Sequence, residues 1–158
     1  MKSILVLALL TVGSGLLVAQ SAEIVKIGDL QKLIEKKSDK ILVMNFWATW
    51  CAPCIKELPH FEQLTTSRND VDVHLVSIDL DLDPNPDKVY RFIARKKLKS
   101  IVYLLDERDP NSWIDKIDNS WEGAIPATLV VNRETGKRKF VSKELKEGEL
   151  EQLINSLK

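Results

Sequence analysis

The sequence predicts an α/β fold: a central mixed β-sheet flanked by helices. Three observations point to it. Apolar runs of strand length alternate with stretches of helical periodicity, as in βαβ units. The run Lys40–Ala48 is almost continuously apolar, the pattern of a strand covered on both faces in a parallel sheet. Near the C-terminus the alternation changes to two neighbouring strands about a tight turn, followed by a helix.

Taken in order, the first element is a short helix in "GDLQKLIEKK", with Asp29 as its N-cap and Leu30, Leu33 and Ile34 on one face. The strand Lys40–Ala48 follows. A helix is predicted from Cys54 to about Arg68, with Leu58, Phe61 and Leu64 among its apolar positions. Pro59 lies inside it and should kink it, because the ring removes one hydrogen bond and crowds the preceding turn. "VDVHLVSIDL", Val71–Leu80, reads as a strand. "NPDKVYRFIARKK" reads as a helix with Pro86 near its first turn and Val89, Phe92 and Ile93 inward. "SIVYLLD" is a further strand and "NSWIDKI" a short helix. "ATLVVN" and "RKFVSKEL" form a hairpin with Gly136 in the turn. "GELEQLINSLK" is a helix with Leu150, Leu153, Ile154 and Leu157 at helical spacing.

The first residues follow a different logic. Lys2 precedes an uncharged stretch, Ser3–Ala22, and "AQSA" supplies small residues at Ala19 and Ser21. This is the pattern of a secretory signal peptide over residues 1–21, or of a retained N-terminal membrane anchor, preceding one domain over 22–158. Either way the domain is expected outside the cytoplasm, periplasmic or secreted. The 158-residue chain carries 23 Lys and Arg against 23 Asp and Glu, a balance that gives no electrostatic footprint for nucleic acid.

The two cysteines, Cys51 and Cys54, both lie in "NFWATWCAPCIKELP". Cys51 follows a buried strand and stands just before a helix. Unpaired N–H groups and the helix dipole there favour a thiolate, which is the form that attacks disulfides. Cys54 falls in the first turn and is more covered. Cys51 is therefore expected to attack, and Cys54 to resolve the mixed disulfide in an intramolecular step. Pro53 suits a helix N-terminus, and Trp50 places an aromatic surface beside the attacking sulfur.

Competing explanations are weaker. A static disulfide closing so short a loop stabilises little. Structural zinc needs four ligands, and only His60 and His74 remain to join the cysteines. "DLDLDPNPD" begins like a calcium loop, but Pro84 and Tyr90, counted from Asp79, occupy the positions that require Gly and Glu. Trp113 and Trp121 fit a border of the active site, and equally core packing or a covering loop. "KKLK", Lys96–Lys99, reads as a solvated helix end. No metal and no other cofactor is expected.

"VMNFWATWCAPCIKELP" resembles the active-site signature of the thioredoxin superfamily, in its extracytoplasmic TlpA/ResA-like branch. Asn45 and the trailing Glu57-Leu58-Pro59 point to that branch, and "GAIPATLVVN" resembles the family's second landmark. The similarity runs from about Ile24 to Lys158. It implies a thioredoxin-like fold and dithiol–disulfide exchange at a redox-active Cys51–Cys54 pair. By the same resemblance Pro126 is a cis-proline that presents the backbone of Ile125 to substrate. Cytoplasmic thioredoxins carry an Asp where this chain has Asn45, which cannot exchange protons. In this branch a glutamate at the position of Glu57 belongs to the active site, where burial would raise its pKa and let it move protons for Cys54. The bland alternative is a solvated helix glutamate beside Lys56.

The resemblance implies a reductase of protein disulfides, with apo-cytochrome c a typical partner and a membrane thiol–disulfide relay as electron donor. A peptide-holding module and a disulfide donor are the rivals. A peroxidase is disfavoured because "WCAPC" is not the motif of the peroxide-reducing relatives.

Overall fold

The computed structural model describes residues 22–158; the expected signal peptide or anchor over 1–21 lies outside the described residues. Six strands form one sheet, in the order β1-β4-β3-β2-β5-β6. They are β1 (Glu23–Val25), β2 (Ile41–Trp47), β3 (Val71–Ser77), β4 (Ile101–Leu105), β5 (Ala127–Asn132) and β6 (Arg138–Val141). The first four strands pair in parallel, whereas β5 runs antiparallel to both β2 and β6. The sheet is therefore mixed, as expected. The helices are α1 (Ile27–Glu35), α2 (Ala52–Ser67), α3 (Asp87–Lys96), α4 (Ile114–Ile117) and α5 (Glu149–Asn155).

β2 is the central strand, and every residue from Ile41 to Trp47 is buried. It leads into α2, so the turn between them, Ala48–Cys51, leaves the middle of the sheet. A strand so placed is desolvated on both faces, which accounts for its unbroken apolar run.

Four boundaries differ from expectation, each for a local reason. Asp29 is not the cap of α1. The helix starts at Ile27, and the Asp29 carboxylate accepts the backbone N–H of Lys26 from within the first turn at 3.2 Å. α2 starts at Ala52 rather than Cys54, with Cys51 as its N-cap and Pro53 in the first turn, where no N–H is needed. It runs unbroken through Pro59. β3 ends at Ser77, and Asp79–Asp81 form a 3-10 turn, because the Asp79 side chain is held by Thr49 of the β2–α2 turn and by Ser77. β6 ends at Val141, short of the expected Leu145, whose N–H bonds a side chain of α2. No pattern in the sequence marks β1, a three-residue edge strand that depends on β4 for its pairing.

An aromatic cluster packs beneath the loop that precedes β5. Phe46 lies 4.7 Å from Trp121 and 6.2 Å from Trp113, and Phe140 lies 5.5 Å from Trp121, between ring centroids. Trp113 and Trp121 are both buried, so the core-packing alternative holds for these two residues. Trp121 also reaches the loop itself, donating its indole N–H to the carbonyl of Ala124 at 2.9 Å.

Candidate active site

Cys51 and Cys54 form a disulfide, with sulfurs 2.07 Å and Cα atoms 5.3 Å apart. Cys51 occupies the N-cap of α2, and its sulfur accepts the backbone N–H of Cys54 at 3.3 Å. The cap position thus aims helix-terminal N–H dipoles at the Cys51 sulfur. Cys54 is fully buried. Trp50 stands beside the pair with 48% of its surface exposed, and Pro53 is exposed as well.

Asp79 fixes the turn that carries Trp50 and Cys51. Its buried carboxylate accepts the N–H of Thr49 at 2.9 Å, the hydroxyl of Thr49 at 2.5 Å and the hydroxyl of Ser77 at 2.8 Å. Behind the turn, the N–H of Cys51 closes onto the carbonyl of Ala48 at 3.1 Å.

The peptide bond Ile125–Pro126 is cis. The register of β5 against β2 pairs Ala127 with Phe46 and Thr128 with Asn45. Ile125 and Pro126 therefore sit at the end of the sheet from which the Cys51 turn departs. Pro126 is buried and Ile125 half-buried.

Below Cys54 lies a buried polar network. Glu57 has no exposed surface. One of its carboxylate oxygens accepts the side-chain N–H of Asn45 at 2.8 Å, and the other accepts the backbone N–H of Leu145 at 2.7 Å. Asn45 also donates to the Thr128 hydroxyl at 3.1 Å and the Ala127 carbonyl at 3.4 Å. Burial is the largest influence on Glu57 and raises its pKa to about 7, although both hydrogen bonds favour the charged form. Glu144, nearby, pushes the same way as burial. The bland alternative for Glu57, a solvated surface charge, does not hold. Its neighbour Lys56 is the one that faces solvent, paired with Glu144 at 2.7 Å.

Cys51, Cys54, Trp50 and Pro53 thus share one turn, Glu57 underlies it, and Ile125 and Pro126 lie at the same end of the sheet. Asp79, Thr128 and Leu145 belong to this site as well, and the sequence alone does not reveal them. The apolar pattern around Asp79 reads as a strand; its partner Thr49 lies across the chain, and no local pattern marks that contact.

The Redoxin family matches residues 19–150 of the chain. The thiol-disulfide oxidoreductase ResA of Bacillus thuringiensis (strain Al Hakam) is 30% identical over 129 residues, covering 80% of this chain and 68% of that protein. ResA of Bacillus cereus (strain ZK / E33L) is 30% identical over 120 residues, covering 73% of this chain but only 64% of the relative, less than two thirds of its length. Among solved structures, a thioredoxin-related protein from Neisseria meningitidis serogroup B superposes with a TM-score of 0.66 at 21% identity, covering 78% of this chain and 89% of that one. That likeness speaks for the fold alone. A mixed sheet with a disulfide at the N-cap of α2, joined to these matches, makes the chain a member of the Redoxin family, in the ResA-like branch of the thioredoxin superfamily.

Proposed function

We propose that the protein is an extracytoplasmic thiol–disulfide oxidoreductase that reduces disulfides of partner proteins through Cys51 and Cys54. The observation that carries this reading is the disulfide at the N-cap of α2, with one sulfur at the helix terminus and the other buried above Glu57. The name borne by the ResA relatives supports it.

In the reduced protein, the Cys51 thiolate attacks one sulfur of a substrate disulfide. A mixed disulfide forms, and the other substrate sulfur leaves as thiolate. Glu57, as carboxylate, takes the proton from Cys54. The Cys54 thiolate attacks the Cys51 sulfur, the Cys51–Cys54 disulfide forms, and the second substrate thiolate leaves. Two electrons have passed to the substrate. A dithiol donor, of the membrane thiol–disulfide relay type, returns the pair to its reduced state. Trp50 and Pro53 flank the attacked sulfur, and the backbone at Ile125 and Pro126 offers an edge for a short strand-like pairing with substrate. Glu57 suits its role because a base titrating near neutral pH can both take and return a proton. Proteins awaiting haem attachment, as in cytochrome c maturation, are the substrate class the ResA likeness favours.

The uncharged stretch Ser3–Ala22 supports an extracytoplasmic location, as a signal or an anchor. The opposite direction, disulfide donation, uses the same atoms in reverse. Equilibration of the purified protein with thiol–disulfide buffers, followed by counting free thiols, decides between them. A potential near −270 mV, that of thioredoxin, is expected for the reductase. A value near −120 mV would make the protein a disulfide donor. A pair that never cycles would leave only a holding module.

A further inference from the structure

One stripe of α2 borders a groove. Ile55 and Leu58 on α2, with Leu98 from the α3–β4 connection, form its apolar floor. The groove has a volume of about 510 Å³, within the range that side chains of a bound ligand fill. Its rim carries Lys96, Lys97 and Lys99, all exposed. None of the three enters an ion pair among the described residues. Lys96 lies over the Phe92 ring, 5.9 Å from its centroid.

The one carboxylate in the lining, Glu62, is committed elsewhere. It accepts the backbone N–H groups of Lys99 at 2.5 Å and Ser100 at 3.0 Å, which pins the α3–β4 connection to α2 and fixes the width of the groove. Compensation of the α3 dipole accounts for a cation at Lys96, inside the last turn, but not for Lys99 beyond it. Lys97 is the C-cap in the left-handed region, φ 53°, where glycine is favoured. The chain as a whole has zero formal net charge, so the patch does not follow from a basic composition.

We infer that this groove docks an acidic, amphipathic segment of the substrate protein whose disulfide meets Cys51. Carboxylates of the segment pair with Lys96, Lys97 and Lys99, and its apolar side chains enter between them onto Ile55, Leu58 and Leu98. The inference rests on the thiol-exchange reading for the identity of the partner. Position supports it: the N–H of Ile55 bonds the carbonyl of Cys51 at 3.1 Å, so the groove begins one helical turn below the reactive pair. From Ile55 to Thr66 it follows the helix for roughly 16 Å. A membrane surface fits less well, because surface-bound helices present protruding apolar residues to lipid, and here the apolar floor is recessed between cations.

The test separates binding from chemistry. A dye-labelled, cysteine-free peptide of leucine and glutamate pairs is titrated with the full chain at low salt, followed by fluorescence anisotropy. Saturable binding is expected, weakened roughly tenfold or more by the triple reversal Lys96→Glu, Lys97→Glu, Lys99→Glu, and less by the matching Gln triple. Reversal of Lys36 and Lys37, just past the end of α1, leaves binding intact. The rate at which the reduced protein exchanges with hydroxyethyl disulfide is unchanged by the Lys96–Lys99 reversals. Equal binding of a leucine–lysine peptide, or indifference to the reversals, overturns the inference. So does binding to phosphatidylglycerol vesicles without binding of the acidic peptide, which would make the patch a membrane contact. If the wild type binds the acidic peptide yet exchanges no thiols, the thiol-exchange reading fails while the preference for acidic segments stands.

Discussion

The side chain of Asn45, in the central strand, donates to the carboxylate of Glu57, on α2, at 2.8 Å, and neither residue has any surface in contact with solvent. An amide that cannot ionise thus faces a carboxyl that titrates near neutrality. In the exchange proposed above the two side chains would divide the work, Asn45 orienting the carboxyl and Glu57 exchanging the proton.

The Glu57 carboxyl has a pKa raised by burial from about 4.5 to about 7. A raised carboxyl favours the folded state while protonated, so its contribution is full below about 4.5 and is lost as pH rises towards 7. Above that window the buried charge costs about 2–3 kcal/mol. Glu57→Gln should therefore gain stability relative to wild type between pH 5 and pH 8, read from urea midpoints at each pH. In thiol alkylation of the reduced protein, the wild-type pH profile should inflect near pH 7, and Glu57→Gln should remove that inflection. An unchanged profile would remove Glu57 from the chemistry.

Cys51→Ser should abolish exchange with disulfide substrates. Cys54→Ser should accumulate a mixed disulfide between Cys51 and substrate, visible by intact mass before and after treatment with reductant. If the Cys54 variant turns over at the wild-type rate, the assignment of attacking and resolving sulfurs is wrong.

Removing the Asp79 carboxylate strands the N–H and hydroxyl of Thr49 and the hydroxyl of Ser77. Asp79→Ala should cost about 1–3 kcal/mol in denaturant unfolding, the range for unpaired buried donors. Asp79→Asn keeps an acceptor and should lose less. Because this carboxylate holds the turn, Asp79→Ala should also change the alkylation rate of Cys51 at fixed pH, which a purely distant stability defect would not.

His74 works in the opposite sense to Glu57. It is buried in β3 and stacked on Tyr103 with ring centroids 5.6 Å apart. Burial lowers its pKa to about 4, and the Arg133 charge adds to this, while Asp72 opposes it. A depressed histidine supports the fold while neutral, so its contribution is full above about 6.5 and is lost as pH falls towards 4. His74→Phe keeps an aromatic ring and cannot charge. It should resist acidification better than wild type by up to about 2–3 kcal/mol at pH 4, again by urea midpoints.

What the sequence disclosed and what it withheld separate along the range of the interactions. The strand through Val43 and Phe46 is legible because burial on both faces writes itself into consecutive residues. The cysteine pair is legible because a strand end, a helix start and Pro53 are all local. The end of β3 is not, since the carboxylate that turns the chain at Asp79 is held from Thr49. The end of β6 is hidden for the same reason: Leu145 answers to Glu57, far away in sequence. β1 exists only through its pairing with β4. Glu57 itself is legible as a candidate by its place after Cys54, but the network of Asn45, Thr128 and Leu145 that surrounds it requires the fold.

The bond from Leu145 to Glu57 makes one backbone amide a gauge of the proton inventory at the heart of the protein. A carboxylate holds that amide more firmly than a neutral acid does. Hydrogen exchange at Leu145 should thus quicken whenever Glu57 takes up a proton, and under the proposed mechanism the connection between β6 and α5 would report which half of the cycle the cysteines have reached.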